Sequence, residues 1–560
     1  MKEKNIRIAI AQINCTVGDL RGNCRKIKEY LEKARIAGSD IVSFPELAVC
    51  GYPPEDLLLK PKFIRDNLDA VKDLAKEVHD IIAVVGFVDR GQNGLYNAAA
   101  VISDGGIKGI YRKMLLPNYG VFDEKRYFLS GVSAPLFKAG NIIFGVNICE
   151  DIWSAQGPTK QEARFGARLI VNINASPYHA GKRKERESVL TRQAKGNRAF
   201  ITYGNSVGGQ DELVFDGQSM VVDDKGKVIA YAAAFKEDLL IADLDIPPVE
   251  KTPKPAAVVI TNKLSSKKKP VLPKRSTRPL KPLPEIYQAL LLGLHDYAAK
   301  NNFQKVVVGL SGGIDSSFVA TLASDALGKD NCIGVFMPTR YSSEESLKDA
   351  KELAQNLGIK FINIPIEQIY KMFLLTLEPH FSGLPRNIAE ENVQARIRGT
   401  MLMALSNKFG WLVLATGNKS EMSTGYATLY GDMAGGFAVI KDVPKMLVYK
   451  LAEYRNAQGA VIPRNAFTKA PTAELRFDQK DADTLPVYDV LDQILKAYVE
   501  QDKDIEEIVS LGFDRETVHR VLGMVDRSEY KRRQAAPGIK ITAKALGKDR
   551  RMPITNGYRP

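Results

Sequence analysis

Cysteine is scarce. Only five occur in 560 residues, at positions 15, 24, 50, 149 and 332, and no two form a CxxC pair. A disulfide framework and a thiolate zinc site are therefore not expected, and each thiol is either buried filler or a nucleophile. Histidine is equally rare, and none of the five stands at metal-ligand or triad spacing from a partner; imidazole-based catalysis is not expected. No apolar run approaches bilayer-spanning length, and the opening MKEKNIRIAIAQ lacks signal-peptide architecture. The expectation is a cytoplasmic protein without a membrane partner. Acids are missing from residues 251–284, which carry Lys267, Lys268, Lys269, Lys274, Arg275, Arg278 and Lys281 among prolines. Together with Lys531, Arg532, Arg533, Arg550 and Arg551 this stretch accounts for most of the net charge of +14. No aromatics alternate with these charges, so nucleic acid is not the expected partner and the stretch reads as a solvated linker.

What is present is the composition of a globular protein, 45% hydrophobic and 26% charged, in a chain too long for one core. The expected division is 1–246, a basic Pro-rich linker over 247–284, and 285–560. In the first part, residues 6–14, 40–45, 81–88, 142–149, 169–175 and 200–206 read as buried strands. Residues 23–37 and 63–78 read as amphipathic helices, and 219–232 as a hairpin around Asp-Asp-Lys-Gly. Many strands with helices between some of them imply a layered α/β domain. The last part alternates more regularly. Strands at 305–310, 332–338, 360–366 and 411–417 are separated by helices around 343–357 and 388–407, which implies a doubly wound parallel sheet with its ligand at the strand C-termini.

Leu310-Ser311-Gly312-Gly313-Ile314-Asp315-Ser316-Ser317 lies where such a strand turns into a helix. Two glycines let backbone amides face an anion, the helix start adds partial positive charge, and the serine hydroxyls complete a phosphate cradle. In isolation it could be a capped Gly-Gly turn; the strand before it and the helix after it favour the cradle. No Lys precedes the serines, unlike a Walker A loop. Asp315 beside phosphates calls for a cation, and Mg²⁺ is assigned to it.

This loop resembles that of the ATP pyrophosphatases, which hold the outer two phosphates of ATP as a leaving unit while the substrate attacks the α-phosphate. ATGNKSEMSTGYATLYGDMAGGFAVIKDVPK (415–445) makes the second half similar to the NAD synthetase family. The resemblance implies a Rossmann-like adenine nucleotide α-hydrolase domain, with ATP contacts at residues 310–317, Thr416, Lys445 and Thr472. It implies a second magnesium carboxylate at Glu421, and deamido-NAD contacts at Asn392, Val393, Arg396, Glu421, Asp432 and Lys531, with Arg398 a further candidate.

In the first half, Cys149 follows the strand IIFGVNI and precedes Glu-Asp, an exposed strand-end position that suits a nucleophile. Glu46 in FPEL and Lys113 in YRKMLLPNYGVFDEKRYF, followed by the Cys-Glu-Asp turn, resemble the nitrilase-type amidases. That resemblance implies an α-β-β-α sandwich with Glu46, Lys113 and Cys149 catalytic. Tyr119, Glu124, Ser176 and Lys182 are then the expected glutamine-site residues. The chemistry needs these types: a carboxylate to take the thiol proton, a thiolate to attack an amide carbon, and an ammonium to hold the thiolate and stabilise the oxyanion.

Fusion of the two halves in this order resembles the glutamine-dependent NAD synthetases over nearly the whole chain. The resemblance implies amidation of deamido-NAD with ATP, Mg²⁺ and ammonia drawn from L-glutamine through an internal tunnel. It implies a homo-oligomer of paired synthetase halves, with octamers as a larger form. Three other readings stay open at this point: a glutamine-fed ATP pyrophosphatase amidating a different acid or a purine, an RNA-binding protein using the basic stretches, and an amidase whose second half only senses nucleotide.

Overall fold

The computed structural model describes residues 6–247, 256–261, 264 and 269–558. The chain divides into two compact units, Met1–Gln210 with Val214–Leu280 and Asp211–Leu213 with Lys281–Pro560. Among the described residues no helix is long and apolar enough to cross a membrane.

The first unit begins with β1 (Ile6–Gln12), α1 (Leu20–Ile36), β2 (Ile41–Ser43), α2 (Pro61–Ala75), β3 (Ile82–Gly91), β4 (Gly94–Ser103) and β5 (Gly106–Arg112). Next come β6 (Leu136–Ala139), β7 (Ile142–Ile148), α3 (Pro158–Arg164), β8 (Leu169–Asn174), α4 (Lys182–Asn197) and β9 (Phe200–Asn205). A short ribbon, β10 (Val207–Gln210) and β11 (Leu213–Asp216), precedes β12 (Met220–Val222), β13 (Val228–Tyr231), β14 (Asp238–Leu244) and β15 (Val258–Thr261). Two mixed sheets result, ordered β14-β1-β2-β3-β4-β5 and β13-β12-β9-β8-β7-β6-β15. Ile6, Ile8 and Ile10 of β1 pack with Val146, Ile148, Leu169 and Val171 of β7 and β8, so the sheets meet face to face. The outer face of the first sheet is closed by Ile27, Leu31 and Ala34 of α1 and Val71 and Leu74 of α2. Leu190 and Ala194 of α4 close the other. This is the four-layer α-β-β-α sandwich. The central strands are continuous apolar runs because both of their faces are covered.

The basic stretch is not the solvated linker expected of it. β15 pairs in parallel with β6 and covers what would be an open sheet edge. Lys269 pairs with Asp40 at 2.5 Å, Arg7 Nη1 donates to Pro270 O at 2.7 Å, and Arg275 pairs with Asp238. Acids of the sandwich meet these positive charges. Lys267 and Lys268 lie outside the described residues.

The second unit contains α5 (Pro282–Lys300), β16 (Val306–Leu310), α6 (Ile314–Leu327), β17 (Cys332–Phe336), α7 (Glu344–Leu357), β18 (Lys360–Asn363) and α8 (Glu367–Phe381). It continues with α9 (Ile388–Phe409), β19 (Leu412–Ala415), α10 (Lys419–Thr424), β20 (Phe437–Ala438) and α11 (Lys445–Asn456), before several short helices. Its five strands are all parallel, in the order β18-β17-β16-β19-β20. The chain reverses its direction of travel across the sheet at β16, so a crevice opens beyond the C-terminal ends of β16 and β19. Ile397 and Leu402 of α9 and Tyr370 of α8 pack on Val307, Ile333 and Val413.

One close approach in the first unit bears directly on function. The Phe44–Leu47 segment lies against β3, with Phe44 N donating to Val84 O at 2.8 Å. A Cβ on Gly86 would stand 2.3 Å from Pro45 O and 2.5 Å from Leu47 N. Gly86→Ala should therefore displace Glu46 and cost about 1–3 kcal/mol, read as a lowered denaturation midpoint. An unchanged midpoint would show that the segment yields freely.

Candidate active sites

In the first unit, Cys149 is the first residue after β7 and has φ +45°, in the left-handed region. A non-glycine residue there costs about 1–3 kcal/mol, a strain that a sharp strand-to-turn nucleophile position accepts. The side chain is only 3% exposed, not exposed as its strand-end position implies, because the two facing sheets and the residues around Glu46 close over it.

Beside it lies a buried charge cluster. Lys113 Nζ donates to Glu46 Oε1 at 2.7 Å and to Glu124 Oε1 at 2.8 Å, with all three side chains at most 4% exposed. Asn97 Nδ2 donates to Glu46 at 2.7 Å, Tyr52 O–H to Glu124 at 3.0 Å, and Ala175 N–H to Glu46 Oε2 at 2.9 Å. One ammonium faces two carboxylates away from water, so the second negative charge is uncompensated and one carboxyl holds its proton more tightly. Glu124 carries that effect: burial and Glu46 raise it to about 7, against the pull of Lys113. Burial alone would lower the Lys113 ammonium, but Glu124 and Glu46 outweigh it and the net direction is upward. The Cys149 thiol is pushed well above its ordinary value by burial and by Glu46, against the opposite pull of Lys113. Lys113 therefore favours the thiolate, as expected from its type, but burial and Glu46 outweigh it and the net direction is toward the protonated thiol.

The remaining expected residues lie close by or apart. Tyr119, 58% exposed, donates to Glu150 at 2.9 Å, next in sequence to Cys149. Ser176 is buried, its N–H donating to Asn205 Oδ1 at 2.9 Å and its carbonyl accepting from Arg186 at 2.8 Å. Lys182, at the start of α4, pairs with Glu185 at 2.9 Å and lies 4.3 Å over the Trp153 ring. The structure adds Asn97 and Tyr52 to the cluster. Neither carries a sequence signal, Asn97 sitting inside an apolar strand and Tyr52 in a loop.

In the second unit, the 310–317 loop joins β16 to α6. Gly312 has φ +77°, and a Cβ there would come 2.8 Å from the backbone of Ser346, so only glycine fits. Ser311 Oγ and Ser316 Oγ lie 3.0 Å apart, and Ser317 Oγ donates to Gly313 O at 2.8 Å. Asp315, in the first turn of α6, pairs with Lys445 and accepts from Asn418 Nδ2 at 3.2 Å. Asn418 N–H in turn donates to Glu421 at 3.1 Å. Leu310 and Ile314 are core residues that fix the loop ends. Thr416 follows β19, the strand paired in parallel with β16. Burial, then the Asp315 charge, raise Glu421 well above the usual carboxylate range, against Lys445. Two carboxylates thus converge beside a phosphate-type loop. That donor set fits Mg²⁺, whose other ligands would be water and phosphate oxygens. Among the described residues no group of three or more His, Cys, Asp or Glu gathers for an all-protein metal cage.

Thr472 Oγ accepts from Glu474 N–H at 3.2 Å, and the Glu474 carboxylate takes Ser346 Oγ–H at 2.8 Å, tying this segment to the wall that Gly312 touches. A second group gathers around residues 424–432. Asn392 accepts from Thr428 Oγ at 2.7 Å, Arg396 Nε donates to Leu429 O at 3.2 Å, and Asp432 accepts from Thr428 N–H at 2.7 Å. Lys531 Nζ donates to Gly425 O at 2.7 Å and Ala427 O at 2.8 Å. Val393 packs into the core beneath α9. Arg398, bonded to Met337 O at 3.0 Å, is lowered to about 10 by burial. A cavity of about 550 Å³ opens here, lined by Thr424, Gly425, Arg527, Ser528 and Lys531.

Residues 7–254 match the carbon–nitrogen hydrolase family and residues 286–535 the NAD synthase family. A glutamine-dependent NAD(+) synthetase of Thermotoga maritima is 50% identical over 99% of both chains. The chain belongs to the glutamine-dependent NAD(+) synthetase family. One of Aquifex aeolicus is 48% identical over 99% of this chain and all of its own. The solved Acinetobacter baumannii glutamine-dependent NAD(+) synthetase, in complex with adenosine diphosphate, is 43% identical with a TM-score of 0.77 over 99% of each chain. The chain is thus a carbon–nitrogen ligase with a nitrilase-like glutaminase half.

The raised thiol has a direct consequence. Labelling of Cys149 by iodoacetamide in the ligand-free enzyme should be slow at neutral pH and keep rising beyond pH ~9, because the thiolate fraction grows only above the ordinary thiol range. A rate that levels off below that pH would refute the resting protonated thiol.

Proposed function

We propose that this chain converts deamido-NAD, ATP, L-glutamine and water to NAD, AMP, pyrophosphate and glutamate, with ammonia made in the first unit and consumed in the second. The observation that carries it is the pairing, in one chain, of a buried Glu46–Lys113–Cys149 set with an SGGIDSS loop whose Asp315 meets Lys445 with Glu421 near.

In the glutaminase step Glu46 takes the Cys149 proton as sulfur attacks the glutamine amide carbon. Glu46 Oε2 accepts Ala175 N–H and keeps a lone pair for this transfer. Two Lys113 N–H groups are spent on Glu46 and Glu124, and the third is free to donate to the developing oxyanion. The C–N bond breaks with return of the proton to nitrogen, releasing ammonia and leaving a glutamyl thioester. Water, deprotonated by Glu46, then hydrolyses that thioester. Tyr119, Ser176 and Lys182 are the groups we assign to the α-amino and carboxylate ends of glutamine.

In the synthetase step a carboxylate oxygen of deamido-NAD attacks the α-phosphorus of ATP, and the bond to pyrophosphate breaks. Residues 310–317, Thr416, Lys445 and Thr472 hold the nucleotide. Asp315 and Glu421 would hold Mg²⁺, which when bound neutralises phosphate charge. Asn392, Val393, Arg396, Glu421, Asp432 and Lys531 hold deamido-NAD, the cavity beside Lys531 supporting that placement. Ammonia attacks the acyl-adenylate, loses a proton, and AMP leaves. The relative solved with adenosine diphosphate supports an adenine nucleotide substrate.

We also propose that the chain acts as a homo-oligomer. Met372, Phe373 and Leu375 of α8 and Ile388 and Met403 of α9 are exposed, an apolar face that a second synthetase half would cover.

The test uses ATP and deamido-NAD with either nitrogen source, followed by nucleotide analysis. AMP, not ADP, should accumulate with NAD. Cys149→Ala should abolish glutamine-driven synthesis and leave synthesis from ammonium salts, whereas Asp315→Ala should abolish both. Accumulation of ADP, or ammonium-driven synthesis in Asp315→Ala, would overturn the proposal.

A further inference from the structure

Asp151, two residues beyond the nucleophile, is fully buried and takes no part in the chemistry above. Its Oδ1 accepts Leu115 N–H at 2.8 Å and Met114 N–H at 3.2 Å. Its Oδ2 accepts Tyr111 O–H at 2.7 Å and Ile148 N–H at 3.1 Å. Four donors on one carboxylate, with no water needed, saturate both oxygens. The donors fall into two groups. Tyr111 and the Met114–Leu115 amides bracket Lys113 on its strand end, and Ile148 immediately precedes Cys149. One side chain therefore fastens the backbone on either side of the catalytic lysine to the backbone that delivers the thiol.

The same carboxylate closes the turn that carries the strained residue. Cys149 lies between Ile148, whose N–H donates, and Asp151, which accepts, so its positive φ is enclosed in a ring held by that hydrogen bond. Burial raises the Asp151 carboxyl to about 6, and the bonds from Tyr111, Leu115 and Ile148 oppose the rise, which leaves it largely ionised at neutral pH. A charged acceptor grips neutral donors more firmly than an amide would.

We propose that Asp151 is a positioning residue for the glutamine half-reaction, setting Lys113 Nζ and Cys149 Sγ in register by clamping their two backbone segments together. The inference rests on the Glu46–Lys113–Cys149 reading given above. Asn is the informative replacement. It keeps the volume but has one acceptor oxygen, so an NH₂ group must oppose either Ile148 N–H or the Met114–Leu115 amides, and one tether breaks in either orientation.

The experiment compares Asp151→Asn, Tyr111→Phe and Cys149→Ala in the full chain. Three readouts are taken: glutamine kinetics, ammonium-driven NAD synthesis, and the pH profile of Cys149 labelling by iodoacetamide. Asp151→Asn should lower kcat with glutamine about tenfold or more, the cost of a slightly misplaced reacting pair. KM should change little, ammonium-driven synthesis should stay at the wild-type rate, and the labelling profile should shift. Tyr111→Phe, which removes one donor of four, should show the same pattern more weakly. A glutamine kcat within about twofold of wild type, or an unmoved labelling profile, overturns the clamp. Parallel loss of ammonium-driven synthesis overturns it as well, since the residue would then support the chain and not the site. Glutamine-driven synthesis surviving in Cys149→Ala would defeat the thioester reading itself and the clamp with it.

Discussion

An ammonium group removed from water has to be neutralised by what surrounds it, and in each unit of this chain that requirement organises the candidate site. Lys113 stands between Glu46 and Glu124, and Lys445 beside Asp315 with Glu421 near. Removing the lysine from such a buried cluster leaves carboxylate charge uncompensated, a loss of about 3–5 kcal/mol. The segments that carry these residues are therefore tied to one another by ion pairs as well as by packing.

The two clusters solve the same problem to different ends. Around Lys113 every member is sealed, at most 4% exposed, so the excess negative charge can be met only by a proton, and Glu124 takes it up near neutrality. Proton transfer is what a thiol-based amide hydrolysis asks of its site. Around Lys445 the acid side is more open, Asp315 being 17% exposed at a loop with glycine-freed amides. Excess charge there can be met by a cation arriving with phosphate, which suits a nucleotide-activating step.

Much of this was legible in the residues themselves. The continuous apolar runs marked β1, β3, β7, β8 and β16 because those strands are covered on both faces, and the Ser-Gly-Gly-Ile-Asp-Ser-Ser loop stood out as a candidate anion site through its glycines, its hydroxyls and the strand and helix that flank it. Other parts were hidden for physical reasons. Helix α4 escapes apolar periodicity because its inner face carries Arg186 and Gln193, satisfied by Asp216 and by the Ile152 and Ser154 carbonyls. Strands β4 and β5 were marked only by Asp104-Gly105, whose φ values of +43° and +73° make the hairpin turn between them. Contacts between distant segments, such as Asn97 with Glu46 or Asp151 with Leu115, leave no local trace at all.

The edge strand β15 has a practical meaning for anyone dividing this chain. It lies beyond the apparent end of the sandwich in sequence, yet it supplies the last rung of the second sheet, and Lys269 and Arg275 follow it onto acids of the same unit. A fragment trimmed after the last obvious strand would expose β6 as a bare hydrogen-bonding edge, inviting self-association. The natural place to cut is after residue 280, where the first unit ends, beyond Lys269 and Arg275 and the acids they pair with.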